Sequence, residues 1–374
     1  MKNSTWSMII LLLLISQWCS GVFGQTSVQK NVGECFGQAH KEAIAKNYRD
    51  GYWIGYSIKK SMEENSFIGS YSSDDRRNHP SLGEIISGVQ IKSIDDVKMD
   101  DNDCQIIEGN VSIGNNNGNN RKIEKEVGIL FHFDRTENKI FDDIKISNLS
   151  LRVDLKNDPL IWLNNFENEA SISFLVDQFN DHYSIEIQEE IVRAAGIHDP
   201  CEKEILFLKR ILTGDYKNSV REESAFWIGQ QNTDAALTVL MQAAQNDKSE
   251  DVMEKAVFSV SEMENINATD SLIQLAREAT ERDVRSKAIF WLSQRAGEKA
   301  VAVIEDIVQN DDDTEVQKQA VFAISQLDEE ESIPSLIKIA RTHPSVEVKK
   351  AAIFWLGQTE DIRAIDAIVE IVKN

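Results

Sequence analysis

The chain has 374 residues, of which 41% are hydrophobic and 27% are charged, a balance typical of folded proteins and unlike that of disordered or membrane-embedded chains. Its length exceeds that of one ordinary core, so at least two domains are expected. The formal net charge of -22 argues against nucleic acid and anionic membrane surfaces as partners and favours a basic partner.

Residues 1–24 have the pattern of a secretory signal peptide. Lys2 precedes an apolar run at 8–15, and small residues stand at Val22 and Gly24, where signal peptidase requires them. The apolar run is shorter than the roughly 20 residues that cross a bilayer. We therefore expect cleavage before Gln25, a periplasmic or secreted mature protein, and no membrane insertion after cleavage.

Three cysteines remain in the mature chain: Cys35, Cys104 and Cys201. In an oxidising compartment Cys35 and Cys104 could form a disulfide within the N-terminal domain, which leaves one thiol. Three buried unpaired cysteines are the alternative, and the sequence does not separate the two.

Residues 25–156 are expected to form a small, mainly antiparallel β domain. Apolar or alternating runs rich in β-branched and aromatic residues predict strands, and the asparagine-rich tract 114–120 predicts a turn. The predicted strands are at 52–58, 104–107, 127–133 and 144–153.

Residues 157–215 contain helical patterns such as 187–193 and are expected to be degenerate helical cap repeats. Residues 216–374 contain five repeats of 32 residues, which predicts stacked helical hairpins. Valine opens the first helix of each repeat, at Val220, Val252, Val284, Val316 and Val348. An apolar residue recurs in the second helix, at Leu240, Leu272, Ile304, Leu336 and Ile368. The capping candidates for the first helices are Ser219, Asp251, Asp283, Thr314 and Ser345.

The first helices resemble the bacterial HEAT repeats also found in phycobilisome lyases. Their pattern, Asp-x-x-Val-Arg-x-x-Ala-x-x-x-Leu-Gly, is close to Asp-Val-Arg-Ser-Lys-Ala-Ile-Phe-Trp-Leu-Ser at 283–293, whereas Met253 and Gln317 replace the arginine. The N-terminal segment 53–57, with the strand set and 162–163, is similar to the N-terminal part of exported bacterial HEAT-repeat proteins. The resemblance implies an all-α HEAT-type solenoid behind a β domain, and it implies no particular activity.

The sequence offers little that points to catalysis or to a cofactor. HEAT-repeat hydroxylases hold metal with His-Glu pairs, but no histidine of this chain precedes a glutamate, so we expect no metal site and no cofactor. His132 and Asp134 are expected to be a salt-bridged or solvated pair, and 198–201 to be an ordinary loop. A pocket that brought Cys35, His40, His132 and Asp134 together would favour an enzyme instead.

A phenylalanine recurs six residues after each first-helix valine. The apolar arc of that helix is centred near about 60°, whereas position 6 lies near about 240°, so these rings are expected to face outward, along the groove that the resemblance implies. The ladder consists of Phe226, Phe258, Phe290, Phe322 and Phe354, and polar residues beside it include Lys287, Gln294, Lys318, Gln326, Lys350 and Gln358. These residues are the predicted partner-binding surface; the alternative is that curvature packs the rings into a core.

Two further features accompany the ladder. Trp227, Trp291 and Trp355 alternate with small residues at the next position, which favours packing between repeats. Glutamates dominate the early repeats and lysines the later ones, which predicts a dipolar groove. The sequence therefore favours a non-enzymatic exported scaffold or adaptor that binds a protein or peptide. An enzyme or enzyme-accessory protein acting through its β domain and an envelope sensor are the alternatives.

Overall fold

A computed structural model describes residues 32–46, 48, 51–64, 66–69, 79–87, 121–134, 141–295 and 298–373. The signal peptide, the predicted strand at 104–107 and Cys104 of the suggested disulfide lie outside these residues. The chain divides into two compact units, Met1–Glu204 and Ile205–Asn374. None of the described helices has the length and apolar character needed to cross a membrane.

The first unit contains a four-stranded mixed sheet. Its strands are β1 (Tyr52–Glu63), β2 (Lys122–Phe133), β3 (Asp143–Asn148) and β4 (Leu160–Asn165). Their order is β3-β2-β1-β4, in which β1/β2 and β2/β3 are antiparallel and β1/β4 is parallel. The predicted mainly antiparallel sheet is thus confirmed, with two differences: β4 adds a parallel edge, and β3 ends at Asn148 instead of continuing to 153.

Helices cover this sheet to an extent that the sequence patterns did not indicate. They are α1 (Val32–Lys46), α2 (Leu82–Ser87), α3 (Asn168–Gln178) and α4 (Ile185–Gly196). The short helix α2 begins with a capping box, because the Ser81 backbone N–H donates to Glu84 Oε2 at 2.8 Å and the Glu84 N–H donates to Ser81 Oγ at 3.2 Å. Residues 157–204, predicted as cap repeats, contribute β4, α3 and α4 to this unit.

The two faces of the sheet have separate apolar layers, since successive strand residues point to opposite sides. On one face, Phe36 of α1 and Phe174 of α3 pack on Phe131 at ring distances of 5.3 and 5.7 Å. On the other, Trp53 and Leu130 are fully buried. That second layer comprises Trp53, Leu82, Leu130, Val153, Leu155 and Trp162.

The second unit is a stack of five helical hairpins. Helix α5 (Glu202–Thr213) crosses the division and precedes them. The first helices are α6 (Asn218–Gln230), α8 (Glu250–Glu262), α10 (Arg282–Gln294), α12 (Thr314–Ser325) and α14 (Val346–Leu356). The second helices are α7 (Asp234–Asn246), α9 (Ala268–Glu278), α11 (Glu298–Asn310), α13 (Glu329–Thr342) and α15 (Ile362–Lys373).

The repeating apolar positions form the core of the stack. The five valines that open the first helices are at most 2% exposed, and Leu240, Leu272, Ile304 and Leu336 are at most 1% exposed. Ile368, in the fifth hairpin, is only half-buried. Each hairpin thus buries its apolar face against its neighbours, as a solenoid requires.

The starts of the first helices differ from the predicted caps. Ser345 does cap α14, where its hydroxyl accepts from the Val348 N–H. At α12, however, the cap is Asp313, whose carboxylate accepts from the Glu315 N–H at 2.8 Å, and Thr314 is the first helical residue. Asp251 and Asp283 likewise lie inside the first turn, where a carboxylate interacts favourably with the helix dipole.

The two helix layers of the stack are packed differently. Successive first helices lie in close contact along their lengths, whereas successive second helices meet at few residues. Because the tighter layer of a curved stack lies on its inner side, the first helices form the concave face. This places the predicted phenylalanine ladder on the groove.

Candidate functional site

The phenylalanine ladder lies along the concave face with its rings partly accessible. Phe226, Phe258, Phe290 and Phe322 are half-buried, and Phe354 is 57% exposed. The rings are therefore neither fully exposed to solvent nor enclosed in a core. The arrangement is intermediate between the predicted binding surface and the alternative of a packed core.

Tryptophans from alternate repeats hold the rings in place. Trp291 lies 5.1 Å from Phe258 of the preceding repeat and 5.0 Å from Phe290 of its own. Trp355 is placed in the same way, 5.0 Å from Phe322 and 5.0 Å from Phe354. Contacts of this kind restrict the ring rotamers, so the exposed edges occupy fixed positions.

Where no tryptophan lies between them, neighbouring phenylalanines of the ladder stack directly or share a lysine. Phe290 and Phe322 stack directly, with a centroid distance of 6.3 Å and an interplanar angle of 4°. Between Phe226 and Phe258 lies Lys255, whose Nζ is 5.5 and 5.2 Å from the two ring centroids. A cation between two aromatic faces is attracted by both rings. Aromatic and cation–π contacts thus link the phenylalanines of all five repeats.

The charges beside the ladder are more balanced than the predicted dipole. Lys287 Nζ lies 2.8 Å from Glu254 of the preceding repeat, and Lys318 pairs with Glu315 at 2.8 Å. Lys350 pairs with Glu347 at 3.0 Å. The prediction of a dipolar groove is therefore wrong. Each of the three later lysines is neutralised by a glutamate, so these lysines do not give the groove a positive end. Exposed pairs of this kind contribute at most about 1 kcal/mol, so a ligand could rearrange them.

Two depressions flank the centre of the ladder. One, of about 460 Å³, lies on α6, α8 and α10 and is lined in part by Asp251, Phe258 and Trp291. The other, of about 510 Å³, lies on α10 and α12 and is lined in part by Asp283 and Phe322. Both also include Lys287 and Phe290 in their linings. The middle repeat therefore contributes to both depressions.

The predicted binding residues divide into two groups. Phe258, Phe290, Phe322 and Lys287 line the depressions, whereas the remaining members of the predicted surface do not appear in these two linings. Those remaining members are Phe226, Phe354, Lys318, Lys350, Gln294, Gln326 and Gln358. Two features of the linings were not predicted from the sequence: the acids Asp251, Asp283 and Glu315, each just before a first-helix valine, and the half-buried Trp291. Counting back one helical turn from positions 2 and 3 would have found the acids, because residues three or four apart share a face.

His132 and His40 of the first unit lie on opposite faces of its sheet. His132 Nδ1 is 2.6 Å from Asp142 Oδ1, and its Nε2 is 3.0 Å from Asp158 Oδ2. The expected pairing with Asp134 is thus replaced by contacts with two other carboxylates.

His40 contacts the hydroxyl of Tyr52 at 2.8 Å and packs on Phe133, which faces the opposite side of β2 from His132.

The residues of the enzyme alternative are accordingly not gathered in one pocket in the part of the chain that is described. Within the same residues, no group of three or more histidine, cysteine or acidic side chains is arranged to hold a metal ion.

The loop at 198–201 adjoins a buried polar chain. His198 Nε2 and the Tyr56 hydroxyl each lie 2.8 Å from Ser171 Oγ. Burial lowers the pKa of His198 to about 3, so the ring is neutral at physiological pH. Nearby, burial raises the pKa of Glu204 to about 9, against the weaker opposing effect of a backbone hydrogen bond at Cys201. With His198, Tyr56 and Ser171 fully buried, the arrangement indicates a structural role.

Family models match most of the second unit. Residues 205–293 and 269–345 match the model of HEAT repeats, and residues 348–374 match the PBS lyase HEAT-like repeat. The resemblance drawn from the first-helix pattern is therefore confirmed. A comparison with curated proteins returned no match.

Solved structures show a partial likeness to this chain at low sequence identity. The complex of CpcE and CpcF of phycocyanin lyase from Nostoc sp. PCC7120 is 17% identical over 41% of this chain and 98% of that chain, with a TM-score of 0.31. The YibA protein of Escherichia coli is 16% identical over 55% and 82%, with a TM-score of 0.32. Human deoxyhypusine hydroxylase is 16% identical over 53% and 76%, with a TM-score of 0.23.

Proposed function

Since the C-terminal part of the chain is built of HEAT repeats, we propose that the protein is an exported scaffold or adaptor that binds a protein or peptide along its concave face. The observation that carries this proposal is the row of partly accessible phenylalanines, three of which line the two depressions. An apolar row bordered by charged and amide groups has the composition of an interaction surface.

The ladder suits binding because its rings are already ordered. Phe290 is fixed between Trp291 and Phe322, so little side-chain entropy is lost when a partner covers its free edge. Aromatic anchors near the centre of an interface commonly contribute about 2 kcal/mol or more each. Phe290 occupies that centre, since it lines both depressions.

The partner inferred from the charges has apolar side chains for the depressions and basic groups for their margins. Asp251 and Asp283 border the two depressions and are exposed. Of the basic residues in the linings, Lys287 pairs with Glu254 and Arg282 pairs with Asp313, while Lys255 lies over the rings of Phe226 and Phe258. The net charge of -22 would also speed the approach of a basic partner.

Export is the second part of the proposal, and it rests on the signal-peptide pattern at 1–24. The intact mass of protein recovered from the cell envelope or the medium tests it. We expect a chain that begins at Gln25. A chain that keeps Met1 would contradict export by this route.

Site-specific photocrosslinking tests the groove. A photoreactive residue at Gln319, in the lining of the second depression, should capture a partner in the producing cells, whereas the same residue at Gln274, exposed on α9 in the other layer, should not. Adding Phe290→Glu should reduce the Gln319 adduct by about 30-fold, which corresponds to about 2 kcal/mol. Equal adducts from Gln319 and Gln274 would refute the groove as the binding site.

A further inference from the structure

Lys255 shows that a pair of rings in the ladder can bind a cation. Its side chain is half-buried, and its Nζ lies 5.5 Å from the ring centroid of Phe226 and 5.2 Å from that of Phe258. Both distances are within the roughly 6 Å at which the face of an aromatic ring attracts a positive charge. Phenylalanines of two successive repeats thus form one cation site, and in the first two repeats the chain fills that site itself.

The corresponding pair of rings in the third and fourth repeats has a glutamine where the first pair has its lysine. This residue, Gln319, is uncharged and exposed. The rings of Phe290 and Phe322 are nearly parallel, with centroids 6.3 Å apart. This distance exceeds the roughly 3.5 to 4 Å between carbon atoms in full face-to-face contact, so the two rings do not cover each other completely. The second pair therefore offers aromatic surface to a cation that the chain does not supply.

The charges of the second depression are balanced except at Asp283. Its other charged lining residues already have partners. The ion pairs are Arg282 with Asp313, Lys287 with Glu254, and Glu315 with Lys318. Asp283 is exposed, and among the described residues no side chain forms an ion pair with it. Because Asp283 lines the same depression as Phe290 and Phe322, a carboxylate and two aromatic rings are available to one positive group.

We propose that the partner supplies this positive group as an arginine side chain, which lies against the rings of Phe290 and Phe322 and pairs with Asp283. The inference rests on the proposed function, since it takes the concave groove as the binding surface. Arginine suits the site better than lysine, because its planar guanidinium can lie against an aromatic ring and donate two hydrogen bonds to one carboxylate. The depression, of about 510 Å³, has the size of a small-ligand site.

Binding of a single arginine can be measured before any partner is known. The probe is N-acetylarginine methylamide, and its control is N-acetylcitrulline methylamide, which has nearly the same shape and no charge. A para-fluoro label on the Phe322 ring of the full chain reports binding through fluorine NMR. The arginine probe should saturate the shift with a dissociation constant on the order of 1 mM. The citrulline probe should bind about tenfold more weakly, because it lacks the cation.

Two substitutions test the position of the probe. Gln319→Lys copies the first pair of rings, so the new ammonium group should occupy the site and weaken the arginine probe by about tenfold. Asp283→Asn should weaken it by about fivefold, because the carboxylate is lost. The charge-matched controls are Gln274→Lys on α9 and Asp366→Asn on α15, both exposed, and both should leave the constant unchanged, since salt screens distant charges.

Three results would overturn the arginine site. They are equal constants for the arginine and citrulline probes, tighter binding of the corresponding lysine probe, and equal effects of a site variant and its control. Capture of a partner at Gln319 together with any of these results would keep the groove as a binding site without this cation. Selective binding of the arginine probe without capture of a partner would instead support the cation site and contradict the proposed scaffold.

Discussion

Arg221 and Asp247 form a buried ion pair that joins the first helix of the first repeat to the residue that follows its second helix. Their side chains are 2% and 7% exposed. Arg221 Nε also donates to the carbonyl of Leu212 at 2.8 Å. The arginine of the HEAT pattern therefore links the first helix of the hairpin to the end of its second helix.

The same relationship recurs two repeats later and is replaced by an apolar pair in between. Arg285 Nε lies 3.2 Å from Asp311 Oδ2, again across 26 residues. At the corresponding positions of the second repeat stand Met253 and Ala279, which are both buried. The fold thus accepts either an ion pair or an apolar pair at this point.

Removal of one partner of the first pair should be costly. We expect Asp247→Ala to lower the free energy of unfolding by about 3 to 5 kcal/mol, because it leaves a buried guanidinium uncompensated. The double variant Arg221→Met with Asp247→Ala copies the second repeat and should recover most of that loss. Urea denaturation measures both, and a double variant no more stable than Asp247→Ala would contradict the interpretation.

The accessibility of the ladder can be tested by stability alone. Phe290 is half-buried and Leu292 is fully buried. Leu292→Ala should therefore destabilise by about 2 to 5 kcal/mol through the cavity it leaves. Phe290→Glu should cost about 1 to 2 kcal/mol, because it loses two ring contacts while its carboxylate reaches water. Equal melting temperatures for the two variants would identify the ladder as core.

The first unit should have a flat stability maximum in mildly acidic solution. Burial raises the pKa of Glu204 to about 9 from 4.5, so the unfolded chain binds fewer protons above pH 4.5 and stability falls as pH rises towards 9. Burial lowers the pKa of His198 to about 3 from 6.5, so the unfolded chain binds more protons below pH 6.5 and stability falls as pH decreases towards 3.

Between pH 4.5 and 6.5 the opposite contributions of Glu204 and His198 to the pH dependence of the free energy of unfolding cancel. Outside that window only one contribution remains, with a slope of about 1.4 kcal/mol per pH unit. Thermal melts of the full chain across this range measure the curve. The Glu204→Gln variant should lose the alkaline decline and keep the acidic one. A decline of unchanged slope in that variant would assign the effect to another group.

Gly51 should resist substitution. Its φ of +137° is unfavourable for other residues, and a Cβ there would lie 2.8 Å from His132 Nε2 and 3.0 Å from the Phe133 carbonyl oxygen. His132 is held by carboxylates on both sides and cannot move away. Gly51→Ala should therefore cost about 2 kcal/mol or more. Gly37→Ala, in open space on α1, should instead stabilise by about 0.5 to 1 kcal/mol.

The repeat region was predictable because each apolar position recurs five times, so that the period identifies the hairpin without knowledge of the contacts. The helical wheel also predicted that the phenylalanines face outward, and the resemblance implied that this face lines the groove. It could not show their half-burial, because the tryptophans that cover them come from neighbouring repeats. Pairing of Lys318 with Glu315 likewise depends on side-chain conformation along the helix.

The first unit was less predictable because its contacts are distant along the chain and occur once. The pairing of β4 with β1 is parallel and joins Trp53 to Leu160, and no turn signal reports a crossover of this kind. The replacement of Asp134 by Asp142 and Asp158 around His132 has the same origin. Local alternation shows which strand residues share a face, but not which loops return to them.

The alternation of tryptophan with small residues gives the stack a true period of 64 residues. Trp227, Trp291 and Trp355 occur in the same repeats as the basic residues Arg221, Arg285 and Lys349, whereas the intervening repeats differ at both positions. Excision of the second or the fourth hairpin would place two tryptophans in adjacent repeats, whereas Ser259 or Ala323 separates them in this chain. An internal duplication or loss that preserves this alternation consequently involves a pair of hairpins.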